Sequence, residues 1–168
     1  MIDWEGMVNR DGPAIWQTAW RVLGNRADAD EVLQEAFLGA VEYSRTHKVT
    51  HLRTLLQRLA TARAIDRLRQ RVRRKGREDP LPDDVLTASG PSPSQRFEDA
   101  ELSANLRLAL GKINPKQAEV FCLFYLNGWT YPEIAEHLAI SNDVVGVWLH
   151  RTRGRLRELL CEKSEVSS

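Results

Sequence analysis

Apolar residues recur along this chain at three- and four-residue spacing, and no segment alternates with the period of a strand. Ile15, Trp16, Ala19, Trp20 and Leu23 form a first stripe. Pro13 suits its first turn and Gly24 its end. A second stripe, Val32, Leu33, Ala36, Phe37, Ala40 and Val41, follows a cap expected at Asp28 or Asp30. After a break over 45–50, a long third helix is expected from about His51 to Lys75. Leu52, Leu55, Leu56, Leu59, Ala62, Ile65 and Leu68 would face inward there.

The pattern then stops. Residues 78–100 carry four of the seven prolines, Gly90 and three serines, and no periodicity. Such a segment reads as a flexible linker. Beyond it, a helix is expected over 101–110. Another starts at Asn114-Pro115 and ends near Asn127-Gly128. Thr130-Tyr131-Pro132-Glu133 is a capping box that opens a short helix to Leu138, and Ser141 caps a last helix running to about Cys161. The expected fold is therefore all-α. Two small helical domains, 1–77 and 101–168, flank an acidic Pro/Ser-rich linker over 78–100, and the second domain has a helix-turn-helix outline.

At 100° per residue the last helix has two distinct faces. Val145, Leu149, Thr152, Leu156 and Leu160 share the packing side, with Trp148 at its edge. Asp143, Gly146, Val147, His150, Gly154 and Arg157 face away. That outward surface has few hydrogen-bond donors for a DNA reader. Val147 can still touch a thymine methyl, His150 or Arg151 a base edge, and Arg151, Arg153, Arg155 and Arg157 phosphates.

Charge changes the picture more than bulk composition does. The net charge is only +1, but it is sorted along the chain. Residues 1–77 hold 15 Lys/Arg against 9 Asp/Glu, 78–99 hold 1 against 6, and 100–168 hold 8 against 8. From 58 to 77 there are eight arginines and Lys75 against the single acid Asp66, a run suited to a polyanion such as nucleic acid. The second helix carries Asp28, Asp30, Glu31, Glu35 and Glu42 without one basic residue over 27–44. That pattern fits either a solvated face or a docking face for a basic partner.

Other chemistries find little support. Cys122 and Cys161 sit at apolar helix positions and read as buried free thiols, and the four histidines show no metal-ligand spacing. The acids lack a His or Lys partner and no Gly-rich phosphate loop occurs, so neither enzyme activity, metal nor cofactor is expected. No apolar run reaches the ~20 residues of a membrane span, and the N-terminal stretch lacks a signal-peptide pattern. The cytoplasm is the default compartment, with no membrane insertion.

An acidic helix, a basic helix and a linked helix-turn-helix occur here in that order. "RADADEVLQEAFLGAVE" (26–42), "LRTLLQRLATARAIDRLRQR" (52–71) and "LGKINPKQAEVFCLFYLNGWTYPEIAEHLAIS" with "LHRTRGRLREL" resemble the extracytoplasmic-function (ECF) group of the sigma-70 family of RNA polymerase sigma factors. The resemblance implies a subunit that binds core RNA polymerase and directs it to promoter DNA. It assigns polymerase docking to Asp30, Glu31, Gln34, Glu35 and Phe37. It assigns the minus-ten element to residues 45–51 with Arg53, Arg58, Arg63, Asp66 and Arg67, and the basic run extends this to Arg69 and Arg71. The minus-thirty-five element falls to Val144, Gly146, Val147, His150, Arg151, Arg153 and Arg155. Family members are commonly held by an anti-sigma factor, so such a partner is also implied. The chain departs from the family pattern at Leu52-Arg53-Thr54-Leu55-Leu56-Gln57, which lacks the usual aromatics, and at Gly146-Val147-Trp148. The alternative is a sigma-like helix-turn-helix regulator acting mainly through protein contacts.

Overall fold

The computed structural model describes residues 1–75 and 104–166, with side chains described through Arg74 in the first segment and Glu162 in the second. The described residues form seven helices and no strand: α1 Trp4–Leu23, α2 Arg26–Thr46, α3 Leu52–Lys75, α4 Ala104–Leu110, α5 Pro115–Tyr125, α6 Tyr131–Leu138 and α7 Asn142–Val166. The fold is all-α, with two helical domains. The expected linker over 78–100, and the domain boundaries on either side of it, lie outside the described residues.

Local chemistry explains most helix ends. Asp3 caps α1 by accepting from the Gly6 N–H, ten residues before the proline expected to open it. Pro13 instead sits inside α1, where it removes one amide donor. Its position and that of Asn9, four residues back, are both exposed, so water can serve the freed carbonyl. Gly24 adopts φ +65° and returns its N–H to the Trp20 carbonyl, the left-handed stop that glycine allows. The α2 cap is Asn25, which accepts from the Asp28 N–H, rather than Asp28 or Asp30. Helix α2 therefore begins directly after the Gly24 turn.

Asn114 caps α5, accepting from the amides of Lys116 and Gln117. The Thr130/Glu133 capping box forms as expected, and the Ser141 hydroxyl accepts from the Val144 N–H. Between α6 and α7 the chain turns through Ala139 at φ +56°, a left-handed conformation uncommon for a residue with a β-carbon.

Two clusters of buried side chains hold the molecule together. The smaller joins α5, α6 and α7 through Val120, Leu123, Trp129, Ile134, Val145 and Leu149, with Trp148 packed at its edge. The larger runs through α1, α2 and α3 and continues without a break into Ala109, Leu110, Ile113, Ala118, Phe121, Cys122, Leu126 and Leu156 of the second domain. The two domains thus share one core.

Polar links cross the same boundary. Asn127 donates to the Thr61 hydroxyl at 3.2 Å and accepts from Thr18 at 3.1 Å, and the Trp129 indole donates to Gln57 at 3.0 Å. Three guanidinium groups reach backbone carbonyls of the opposite domain: Arg21 to Leu126, Arg69 to Ile113 and Arg107 to Val22. Glu119 is buried where α5 meets α3. Removal from water raises its carboxyl above the ordinary value near 4.5, against the opposing pull of Lys116 and Arg58.

Candidate docking face and nucleic-acid interface

Helix α2 buries Ala29, Val32, Ala36 and Ala40 and turns its acids outward. Asp30 accepts from the Trp16 indole at 2.8 Å. Glu31 and Glu35 both accept from Arg67, which lies across the gap from α3 and also stands 3.7 Å from Asp28. Hydrogen bonding to Glu35, and then to Glu31, holds the Arg67 guanidinium even more firmly charged than usual, although desolvation opposes this. Gln34 is exposed. Phe37 is half-buried against the core, whereas its neighbour Leu38 is 69% exposed. At 100° per residue Leu38 lies about 180° from the buried alanine stripe, amid Glu31, Gln34, Glu35 and Glu42. The sequence reading missed Leu38. The signal was present in its position opposite the stripe.

The arginines of α3 divide by direction. Arg53 lies 3.6 Å from the buried Asp11, which also binds Arg10 at 3.1 Å. Arg63 is exposed, as are Arg73 and Arg74, and Arg58 is half-buried. Arg67, Arg69 and Arg71 turn inward: Arg67 to Glu31 and Glu35, Arg69 to the Ile113 carbonyl, and Arg71 to the Leu23 carbonyl and Asp28. The sequence does not reveal these partners, because each lies more than 30 residues away. Asp66 is exposed.

Helix α2 runs on to Thr46, past the break expected from 45, so residues 47–51 connect it to α3; Arg45, Lys48 and His51 are exposed. At the start of this segment the exposed Tyr43 stacks on His47, with ring centroids 4.1 Å apart and planes within 7°. This aromatic pair precedes in sequence the stretch 52–57 that lacks the family's usual aromatics, and sequence reading did not single it out. The one-turn spacing of a tyrosine and a histidine was its only trace.

Helix α7 follows its wheel. Val145, Leu149, Thr152 and Leu156 are buried, and Asp143, Val147, His150, Arg151, Arg155 and Arg157 are exposed. Val144 is half-buried. Arg153 donates to the Tyr125 hydroxyl at 2.7 Å, and Arg155 pairs with Glu158 at 3.1 Å. An open cleft of about 580 Å³ lies over this face, lined by Tyr131, Asn142, Asp143, Gly146, Val147, His150 and Arg151.

The thiols divide. Cys122 is buried, and its environment pushes it up to about 12, whereas Cys161 is exposed, contrary to the burial expected from its apolar register. Among the described residues no helix is long and apolar enough to cross a membrane, and no group of three or more acids, histidines or cysteines is placed to hold a metal ion.

Comparison with known proteins places both domains. Residues 7–74 match Sigma-70 region 2, and residues 103–156 match Sigma-70, region 4. The ECF RNA polymerase sigma factor SigE of Mycolicibacterium smegmatis is 28% identical over 168 residues, all of this chain and 65% of that protein's length. SigW of Bacillus subtilis, also an ECF RNA polymerase sigma factor, is 30% identical over 87% of this chain and 82% of its own. The ferric citrate uptake sigma factor FecI of Escherichia coli is 31% identical over 75% and 73%. The sigma factor RpoE from Bartonella quintana, solved in complex with the anti-sigma factor NepR, shares the fold with a TM-score of 0.57 at 19% identity, covering 94% of this chain and 96% of that one. Both region matches, in this order on one all-helical chain, lead to one assignment: the chain belongs to the ECF sigma factors of the sigma-70 family.

Proposed function

We propose that this chain works as a promoter-specificity subunit, docking on core RNA polymerase through α2 and on promoter DNA through α3 and α7. The observation that carries the reading is the division of surfaces. An acidic face with an apolar centre stands on region 2, and a cleft edged with His150 and Arg151 stands on the recognition helix of region 4. Asp30, Glu31, Gln34 and Glu35 supply the polar part of the docking face. Leu38, more than the half-buried Phe37, supplies its apolar anchor.

On the DNA side, residues 45–51 with Arg53 and Arg63 meet the minus-ten element first. Arg67, Arg69 and Arg71 reach phosphates only by exchanging or loosening internal contacts, and the half-buried Arg58 does so under the pull of Glu119. Val144, Val147, His150 and Arg151 face the upstream element, and Arg153 and Arg155 steady its backbone contacts. A cytoplasmic site of action follows from this role. By analogy with the Bartonella RpoE, an anti-sigma factor is the regulator to seek.

The test is reconstitution. Purified chain and core polymerase should start transcription at particular promoters, and no association with core polymerase at any salt concentration would refute the proposal. Replacing Leu38 with Ala should weaken that association about tenfold, the effect of losing roughly 1.5 kcal/mol of leucine burial. A regulator working through protein contacts alone would shift DNA or bind its partner and yet give no run-off transcript.

A further inference from the structure

We infer that the cleft over the first turns of α7 is a pocket for the 5-methyl group of a single thymine in the upstream duplex. This inference rests on the promoter-reading role proposed above and specifies what that site reads. Three features build the pocket. The first is its floor. Tyr131 is half-buried and fixed by the edge of Phe124, with ring centroids 5.5 Å apart. A β-carbon placed on Gly146 would stand 3.5 Å from Tyr131 Cε2, an ordinary contact. Among the described residues a methyl group at 146 is therefore accommodated, and its absence leaves room over the ring.

The second feature is the wall. Val147 is 46% exposed on the outward face of α7, which leaves its isopropyl group open to a ligand. The third is the polarity of the rim. Asn142 and Asp143 line one end of the cleft and His150 and Arg151 the other. The carboxylate of Asp143 repels a phosphate from that end, while Arg151 can hold one at the opposite end. An uncharged apolar group fits between them. In the major groove the only apolar projection that a base pair offers is the thymine methyl; cytosine carries hydrogen at the same carbon.

The experiment uses holoenzyme assembled from the full chain and core polymerase, with an upstream duplex selected from a randomised pool. Each thymine is replaced in turn by deoxyuridine, which removes only the methyl group. One position should bind about fourfold more weakly, the effect of one buried methyl, and the others should be unchanged. Gly146→Ala occupies the floor without strain and strengthens the helix. It should erase most of that penalty, so that the thymine and uracil duplexes bind alike. Val147→Ser should reduce the penalty by removing the wall. Insensitivity to uracil at every thymine, or an undiminished penalty in Gly146→Ala, would overturn the pocket while the promoter-reading role stands. A holoenzyme with no sequence preference anywhere in the upstream duplex would overturn both.

Discussion

Gly111 is the point where a single methyl group should do the most to disturb the shared core. It is buried between α4 and α5, against α3. A β-carbon there would meet Val72 Cγ2 at 2.4 Å, Val72 Cβ at 3.2 Å and the Leu68 carbonyl oxygen at 3.3 Å. Rotating Val72 about its Cα–Cβ bond moves the first of these atoms but neither of the others. The Leu68 oxygen is helix backbone, so α3 and the α4–α5 corner must part by a few tenths of an ångström. Buried Leu110 and Ile113 would move with that corner.

Overpacking of this kind costs about 1–3 kcal/mol, less roughly 0.4–1 kcal/mol gained because alanine restricts the unfolded chain. The net expectation for Gly111→Ala is a loss of about 1–2 kcal/mol. For a chain of this size that lowers the thermal midpoint by about 3–6 °C. Gly154 is the matched control: it lies within α7, and a β-carbon there meets nothing within 4 Å. Gly154→Ala should stabilise by about 1 kcal/mol. Scanning calorimetry on the three proteins, with urea midpoints as a second measure, reads both signs. A Gly111→Ala variant as stable as wild type would show that the domain contact yields freely, and the argument from close packing would fail.

Two further predictions concern charge. Replacing Arg67, Arg69 and Arg71 together with Ala should lower the urea midpoint, because contacts to two carbonyls and three carboxylates disappear. The slope of log affinity for DNA against log salt should fall by well under the roughly 2.7 expected for three full phosphate contacts. A full drop in filter-binding titrations would mean that all three arginines abandon their internal partners on DNA. Glu119 gives a pH signature. Its carboxyl is raised in the folded protein, so between the ordinary value near 4.5 and the raised one the folded state binds more protons than the unfolded state, and stability falls as pH rises. Glu119→Gln should remove that component and stabilise the protein at neutral pH; parallel urea midpoints for the two proteins from pH 4 to 7 would rule this out.

Legibility followed the range of the interactions. The helix-turn-helix could be read in detail because Thr130, Glu133 and Ser141 cap within three residues, and the α7 wheel needs only one helix. The acidic face of α2 was legible for the same reason. Pro13 misled because proline favours first turns, yet the Asp3 cap and the exposed position of Asn9 allow it mid-helix. The direction of the basic run was not legible. Arg69 points inward only because Ile113 brings a carbonyl to it from the other domain, and periodicity carries no information about so distant a segment. Leu38 was hidden by attention to the apolar stripe rather than to its complement.

The three guanidinium groups that bridge the domains have a consequence for how the protein responds to ionic conditions. Arg21, Arg69 and Arg107 each donate to a neutral carbonyl oxygen. Mobile ions screen attraction between net charges, whereas a short hydrogen bond to an uncharged oxygen in a half-buried site feels them weakly. Binding to phosphates must therefore rise and fall steeply with salt while the contact between domains stays nearly constant. In the proposed role, ionic strength then tunes the grip on DNA without resetting the protein's shape. A partner that competes for the buried surface itself would act on that contact directly.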